Sequence, residues 1–177
     1  MSTFDFSAYI ADIPDYPEPG VLFKDITPLF ADAVAMRATI ATIAEHFQGQ
    51  GVTKVIGPEA RGFMVGVPVA LEVGAGFVPA RKPGKLPRET ISVSYDLEYG
   101  TDTLQIHADA LTAEDRVLII DDLVATGGTL AATGELVQTT GAHLIGYGCI
   151  LELGFLHPRD ALAKVGEHEL FSLVKVD

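Results

Sequence analysis

The stretch from Arg116 to Thr129, Arg-Val-Leu-Ile-Ile-Asp-Asp-Leu-Val-Ala-Thr-Gly-Gly-Thr, constrains the fold more than any other. Val117 to Ile120 form a short apolar run of the kind buried on both faces of a parallel sheet. Asp121 and Asp122 follow, where such a strand is expected to leave the sheet. Ala125, Thr126, Gly127, Gly128 and Thr129 are small enough for backbone to approach a ligand closely. Leu130, Gly134 and Val137 then keep helical spacing, so the loop opens a helix.

Strand, small-residue loop and helix start together form an anion site. The first N–H groups of a helix lack internal partners, and its macrodipole adds partial positive charge there. Thr126 and Thr129 add hydroxyl donors. A phosphate is the natural occupant. Asp121 and Asp122 repel it and are better suited to accept from sugar hydroxyls, or to hold a cation by way of water. Phosphate at the tip of one loop and ribose at its base describe a ribose-5-phosphate. The plainer reading is a Gly-Gly turn after a core strand, with one of the acids as an ordinary cap.

The chain of 177 residues is long enough to bury its own core as one domain. Hydrophobic residues make up 48% and mean hydropathy is +0.30, which points to apolar surface covered by a second subunit. The net charge of −12 and pI near 4.7 argue against nucleic acid or an anionic membrane as partner. Yet four of the twelve Lys and Arg residues (Arg81, Lys82, Lys85 and Arg88) fall within eight positions. Such a cluster reads as a site for a specific polyanion or as a solvated loop. Cys149, the single cysteine, allows no internal disulfide, sits in an apolar run and suits a reducing compartment. The first residues show no signal-peptide pattern, so a cytoplasmic protein is expected. Gly62 to Ala80 carries one charge, Glu72, but Pro68, Pro79 and four glycines make it a helix, a turn and a strand rather than a membrane span.

Along the chain, Phe6, Tyr9, Ile10 and Ile13 have helical spacing, and Pro14, Pro17, Pro19 and Gly20 force an extended loop. Phe23 could stack on a flat ligand or pack in the core. Asp32 can cap a helix carrying Met36, Ile40, Ile43 and Phe47, which Gly49 and Gly51 end; His46 near its end reads as structural. Val52 to Ile56 is the next strand. Gly57 and Gly62 have Walker A spacing, but Phe63 and Met64 stand where Lys and Ser or Thr are required. What remains is a loop at a strand's C-terminal end with Arg61 opening a helix, suited to pyrophosphate or to a surface ion pair. Phe77 to Ala80 leads into the basic cluster. Glu89 to Tyr95 and Thr103 to His107 alternate like a hairpin, which could close over a site. Leu144 to Leu153 and Leu170 to Val174 read as further strands. His157-Pro158 and Glu167-His168-Glu169 lack zinc spacing and read as surface loops. No G-x-G-x-x-G supports a dinucleotide site.

Val117 to Thr129 resembles the phosphoribosyl-pyrophosphate signature of the type I phosphoribosyltransferases. Glu59-Ala60-Arg61-Gly62-Phe63 and Ser94 to Gly100 extend the resemblance over the chain from Phe6 onward, toward the adenine phosphoribosyltransferases in particular. The resemblance implies a three-layer, Rossmann-like α/β fold with a mainly parallel sheet and a flexible hairpin loop, in a single domain over residues 1–177. Residues 1–32 would form a small hood over the base and 33–177 the core. It implies that Ala125 to Thr129 take the 5′-phosphate and that Asp121 and Asp122 face the ribose. Pyrophosphate would meet Ala60, Arg61, Arg81, Lys82 and Lys85, in part across a homodimer interface. Adenine would lie against Leu22 and Phe23, beside Lys24, where relatives often carry Arg. Glu98 matches the family's acid and would handle the purine proton. Mg2+ is the implied cofactor, held mainly by the substrate rather than by protein ligands. The implied reaction is purine salvage, adenine and phosphoribosyl pyrophosphate giving AMP and pyrophosphate. The phosphate loop itself does not choose the base. Transfer to another nucleobase, a regulator that senses the sugar diphosphate without turnover, and a plain nucleotide-binding or structural domain stay open.

Overall fold

The computed structural model describes residues 4–96 and 100–177. Its centre is a sheet of five parallel strands. The chain enters through a turn of 3-10 helix at Phe6–Tyr9 and a hairpin of β1 (Ala11–Pro14) and β2 (Leu22–Asp25). Then come α1 (Thr27–Ala31), α2 (Ala33–His46), β3 (Lys54–Pro58), α3 (Arg61–Val73) and β4 (Gly76–Ala80). A second hairpin, β5 (Thr90–Asp96) with β6 (Thr101–His107), precedes β7 (Arg116–Val124) and α4 (Gly128–Thr140). The chain closes with β8 (His143–Leu153), α5 (Pro158–Ala163) and β9 (Glu169–Val176).

Two apolar cores sandwich the sheet, as a doubly covered parallel sheet requires. In β7, Val117 and Ile119 join the core under α4 and the β5–β6 hairpin, while Leu118 and Ile120 join the core under α1, α2 and α3. The expected fold class is therefore the observed one. Asp32 caps α2, its Oδ1 accepting from the amides of Val34 at 2.9 Å and Ala35 at 2.8 Å. Ile40, Ile43 and Phe47 are buried as their spacing predicts, and His46 stacks on Phe171 with ring centroids 3.9 Å apart. Gly62 to Ala80 is the expected helix, turn and strand, with Gly74 in the left-handed conformation at the helix end. Cys149 is buried and free.

The N-terminal segment departs from the spacing-based expectation. Asp5 caps only one turn, its Oδ1 accepting from the Ser7 amide at 3.0 Å, and Ile10 is already extended. Ala11 to Pro14 then pair with Leu22 to Asp25, so a cross-strand ladder replaces the helix that the apolar spacing predicts. Strand β3 starts at Lys54 rather than Val52. His157-Pro158 is not simply loop, since Pro158 opens α5, a position proline favours.

Strand order places the chemistry. From β3 the chain moves outward to β4, then returns to the other side of β3 for β7 and runs outward again through β8 and β9. The order reverses between β3 and β7. In open α/β sheets, ligands bind beyond the strand C-termini at such a reversal.

Candidate active site

Two loops flank that reversal. After β7 the chain turns through Ala125 to Gly127 into α4. Gly127 has φ of 84°, and a methyl group there would lie 2.5 Å from the Pro158 carbonyl oxygen and 3.2 Å from the Ala161 methyl. Only glycine suits both the left-handed backbone and the contact with α5. The first bond of α4 runs from the Ala131 amide to the Gly127 carbonyl at 2.9 Å, so the amides of Gly128, Thr129 and Leu130 precede the helix's own ladder. A cavity of about 110 Å³ lies against this turn, lined by Asp121 and residues 123–130. Helix amides, threonine hydroxyls and room for a small group make an anion cradle.

Both acids lie inside β7 rather than beyond it, because the ladder with β8 continues to Val124 opposite Glu152. Asp122 is 3% exposed, and its Oδ2 is 2.7 Å from Arg61 Nε. Asp121 Oδ1 accepts the Asp122 amide at 2.9 Å. Burial, then the adjacent Asp122 charge, push the Asp121 carboxyl well above the usual aspartate range, against an opposing pull from Arg61. Helix α3 approaches closely, since a methyl on Gly62 would lie 2.9 Å from the Pro58 ring and 3.0 Å from Asp121 Oδ1. Gly62→Ala is expected to cost about 1–3 kcal/mol by overpacking, read as a lower urea midpoint.

The basic residues are already organised. Arg81 Nε meets Glu59 Oε2 at 2.7 Å, its Nη1 donates to the Lys85 carbonyl at 3.3 Å, and its backbone bridges Gln105 of β6. Lys82 Nζ is 2.9 Å from Asp102 Oδ2, a contact that raises the lysine pKa and lowers that of the aspartate. Tyr95 reaches Thr129 Oγ1 at 3.3 Å, which joins the β5–β6 hairpin to the first turn of α4. Arg88 pairs with Asp109 instead, outside this group.

Leu22, Phe23 and Lys24 share strand β2 of the N-terminal hairpin. Leu22 is exposed, Phe23 meets Tyr16 edge-on at 5.2 Å, and Lys24 Nζ is held by Asp12 Oδ1 at 2.6 Å. Glu98 lies outside the described residues. Sequence alone assigns no role to Glu59, Tyr95 or Asp102, whose partners are 22, 34 and 20 positions away in the chain.

The phosphoribosyl transferase domain family matches residues 27–168. An adenine phosphoribosyltransferase of Desulfitobacterium hafniense is 50% identical over 175 residues, 99% of this chain and 99% of that protein. The chain belongs to the adenine phosphoribosyltransferase family. Among solved adenine phosphoribosyltransferases, that of Thermoanaerobacter pseudethanolicus superposes with a TM-score of 0.90 at 46% identity, covering 97% of this chain and 98% of that one. The Saccharomyces cerevisiae adenine phosphoribosyltransferase, complexed with an imino-altritol bisphosphate and adenine, superposes with a TM-score of 0.89 at 36% identity, covering 96% of each. The five-stranded parallel sheet and the helices that cover it are thus the fold of the family.

Proposed function

We infer that this protein transfers the 5-phosphoribosyl group from phosphoribosyl pyrophosphate to adenine, releasing AMP and pyrophosphate. One observation carries the reading: an anion cradle and an acid pair share one strand end, in a chain half identical over its length to a named adenine phosphoribosyltransferase. A bond forms between a purine ring nitrogen and the anomeric carbon, the bond from that carbon to pyrophosphate oxygen breaks with its electron pair, and the purine loses its ring proton.

In this reading Ala125, Thr126, Gly127, Gly128 and Thr129 hold the 5′-phosphate, and Asp121 and Asp122 hold the ribose hydroxyls. The carboxylates also suit the positive charge that builds at the anomeric carbon. Ala60, Arg61, Arg81, Lys82 and Lys85 take the pyrophosphate. Arg61 Nε stands 2.7 Å from Asp122 Oδ2 as an ion pair, and its terminal nitrogens remain for the leaving group. Holding both reactants in line removes much of the entropic cost of their meeting. Adenine lies under the hood of residues 1–32, against Leu22, Phe23 and Lys24.

Mg2+ fits the donors present. In this reading the substrate holds the ion, and Asp121 and Asp122 are hard oxygen groups suited to reach it by way of water. Magnesium characteristically binds one or two carboxylates plus substrate phosphates. When bound, it supplies charge neutralisation on the departing pyrophosphate. A homodimer is the natural cover for Val34, Met64, Val67 and Leu71, exposed apolar side chains of α2 and α3, the last at 76%. Among the described residues no helix is long and apolar enough to cross a membrane. We place the protein in the cytoplasm, a reducing compartment that suits the free thiol of Cys149.

The test is pyrophosphate release with adenine, hypoxanthine, guanine and xanthine side by side. Adenine alone is expected to support turnover; release with another base reassigns specificity, and release with none leaves a sensor. Glu98→Gln is expected to lower kcat by about 10²–10⁴-fold, the span of general acid–base effects. Full turnover of that variant across pH would remove Glu98 from proton handling.

A further inference from the structure

The turn after β7 rests on a helix that the reaction scheme above does not use. Pro158 and Ala161 of α5 touch Gly127 from below, so the place of α5 sets how far the turn can relax. That place is fixed by a buried carboxylate. Glu152, 1% exposed, accepts from Arg159 Nε at 2.8 Å through Oε1 and from Arg159 Nη2 at 2.8 Å through Oε2. Ser172 Oγ donates to the same Oε2 at 2.7 Å, and Arg159 Nη2 also donates to the Leu170 carbonyl at 3.1 Å. The two-point geometry fixes the guanidinium in direction as well as in distance. Glu152 also stands opposite Val124, the last strand residue before the turn. One residue therefore meets the strand entering the turn through its backbone and the helix beneath it through its carboxylate.

We propose that Arg159, clamped by Glu152, is a positioning residue for the phosphate-binding turn, holding α5 against Gly127 so that the amides of Gly128, Thr129 and Leu130 point into the cradle. The proposal rests on the reading of that turn as the 5′-phosphate site. A plain stabilising ion pair would instead lower stability and leave ligand affinity intact. The two differ in selectivity: the positioning role weakens the phosphate end of one substrate and spares the base.

The experiment is titration of ribose 5-phosphate into the full chain by calorimetry, with KM measured separately for phosphoribosyl pyrophosphate and for adenine. Arg159→Met is expected to weaken ribose 5-phosphate binding and raise KM for the sugar diphosphate by about tenfold or more, the scale of a displaced binding group, with KM for adenine within about twofold. Arg159→Lys keeps the charge and loses the two-point contact; it serves where the methionine variant does not fold, with an expected loss of about threefold. Unchanged ribose 5-phosphate affinity in a folded variant overturns the positioning role, as does an equal rise of both KM values. Failure of the unsubstituted protein to bind ribose 5-phosphate overturns the phosphate-site reading and this proposal with it.

Discussion

Gly127→Ala is expected to lower kcat/KM for phosphoribosyl pyrophosphate by about 100-fold or more, the scale reached when a binding group moves by an ångström. Two penalties meet at this residue. Its φ of 84° is left-handed, where a β-carbon costs about 1–2 kcal/mol. The new methyl would also lie 2.5 Å from the Pro158 carbonyl oxygen, a backbone atom that no side-chain rotation removes. Either the turn lifts away from α5 or α5 withdraws, and both moves misdirect the amides of α4. Gly74→Ala is the matched control. Gly74 has φ of 74° with nothing within 4 Å of an added methyl, so it carries the backbone penalty without the collision. The control is expected to lower the melting temperature with kinetics unchanged. Gly127→Ala with KM for the sugar diphosphate within twofold of the unsubstituted protein would remove this turn from phosphate binding.

The contrast between the two glycines shows what sequence carried and what it did not. Ala125 to Thr129 were legible as a close-approach loop, because small residues between an apolar strand and a helical period leave few other meanings. Which glycine tolerates no methyl depends on Pro158, 31 positions away in chain number, and on an α5 too short at Pro158–Ala163 to show a period. Arg61 was legible as a lone cation opening a helix, but its pairing with Asp122 required α3 and β7 to be packed side by side. The same holds for Arg81 with Glu59, a pair 22 positions apart brought together by strand order, whereas Arg159 and Glu152 lie seven positions apart and meet where the chain passes from β8 into α5. The N-terminal helix fails to form for the opposite reason. Apolar spacing over Phe6 to Ile13 is a local signal, while pairing of Ala11 to Pro14 with Leu22 to Asp25 decides the backbone.

Asp122→Asn is expected to move the acid limb of the kcat/KM profile for phosphoribosyl pyrophosphate to lower pH, and to lower its plateau by about 10²-fold, the size of a lost electrostatic contact in an active site. The direction follows from the neighbour. Asp121 is held well above the ordinary aspartate value, near 3.9, first by burial and then by the Asp122 charge. An Asp121 that keeps its proton is a weaker acceptor for ribose hydroxyls, so the unsubstituted protein should lose affinity for the sugar while acidity is still mild. Asparagine removes the repelling charge, releases Arg61 from Asp122 and lets Asp121 ionise more readily. Stability carries the same signature. A carboxyl whose folded pKa is raised favours the folded state below the unfolded pKa, and that advantage is lost as pH rises toward the folded value. Glu152 runs the other way: Arg159 depresses its pKa, so its contribution is present above the unfolded value and disappears as pH falls through the folded one. Subtracting the urea stability of Asp122→Asn from that of the unsubstituted protein at each pH cancels the Glu152 part and leaves the coupling between the two aspartates. A stability difference that stays flat as pH rises from the ordinary aspartate value, with an acid limb that does not move, would mean that Asp121 does not sense Asp122 and that the pair does not act as one ribose site.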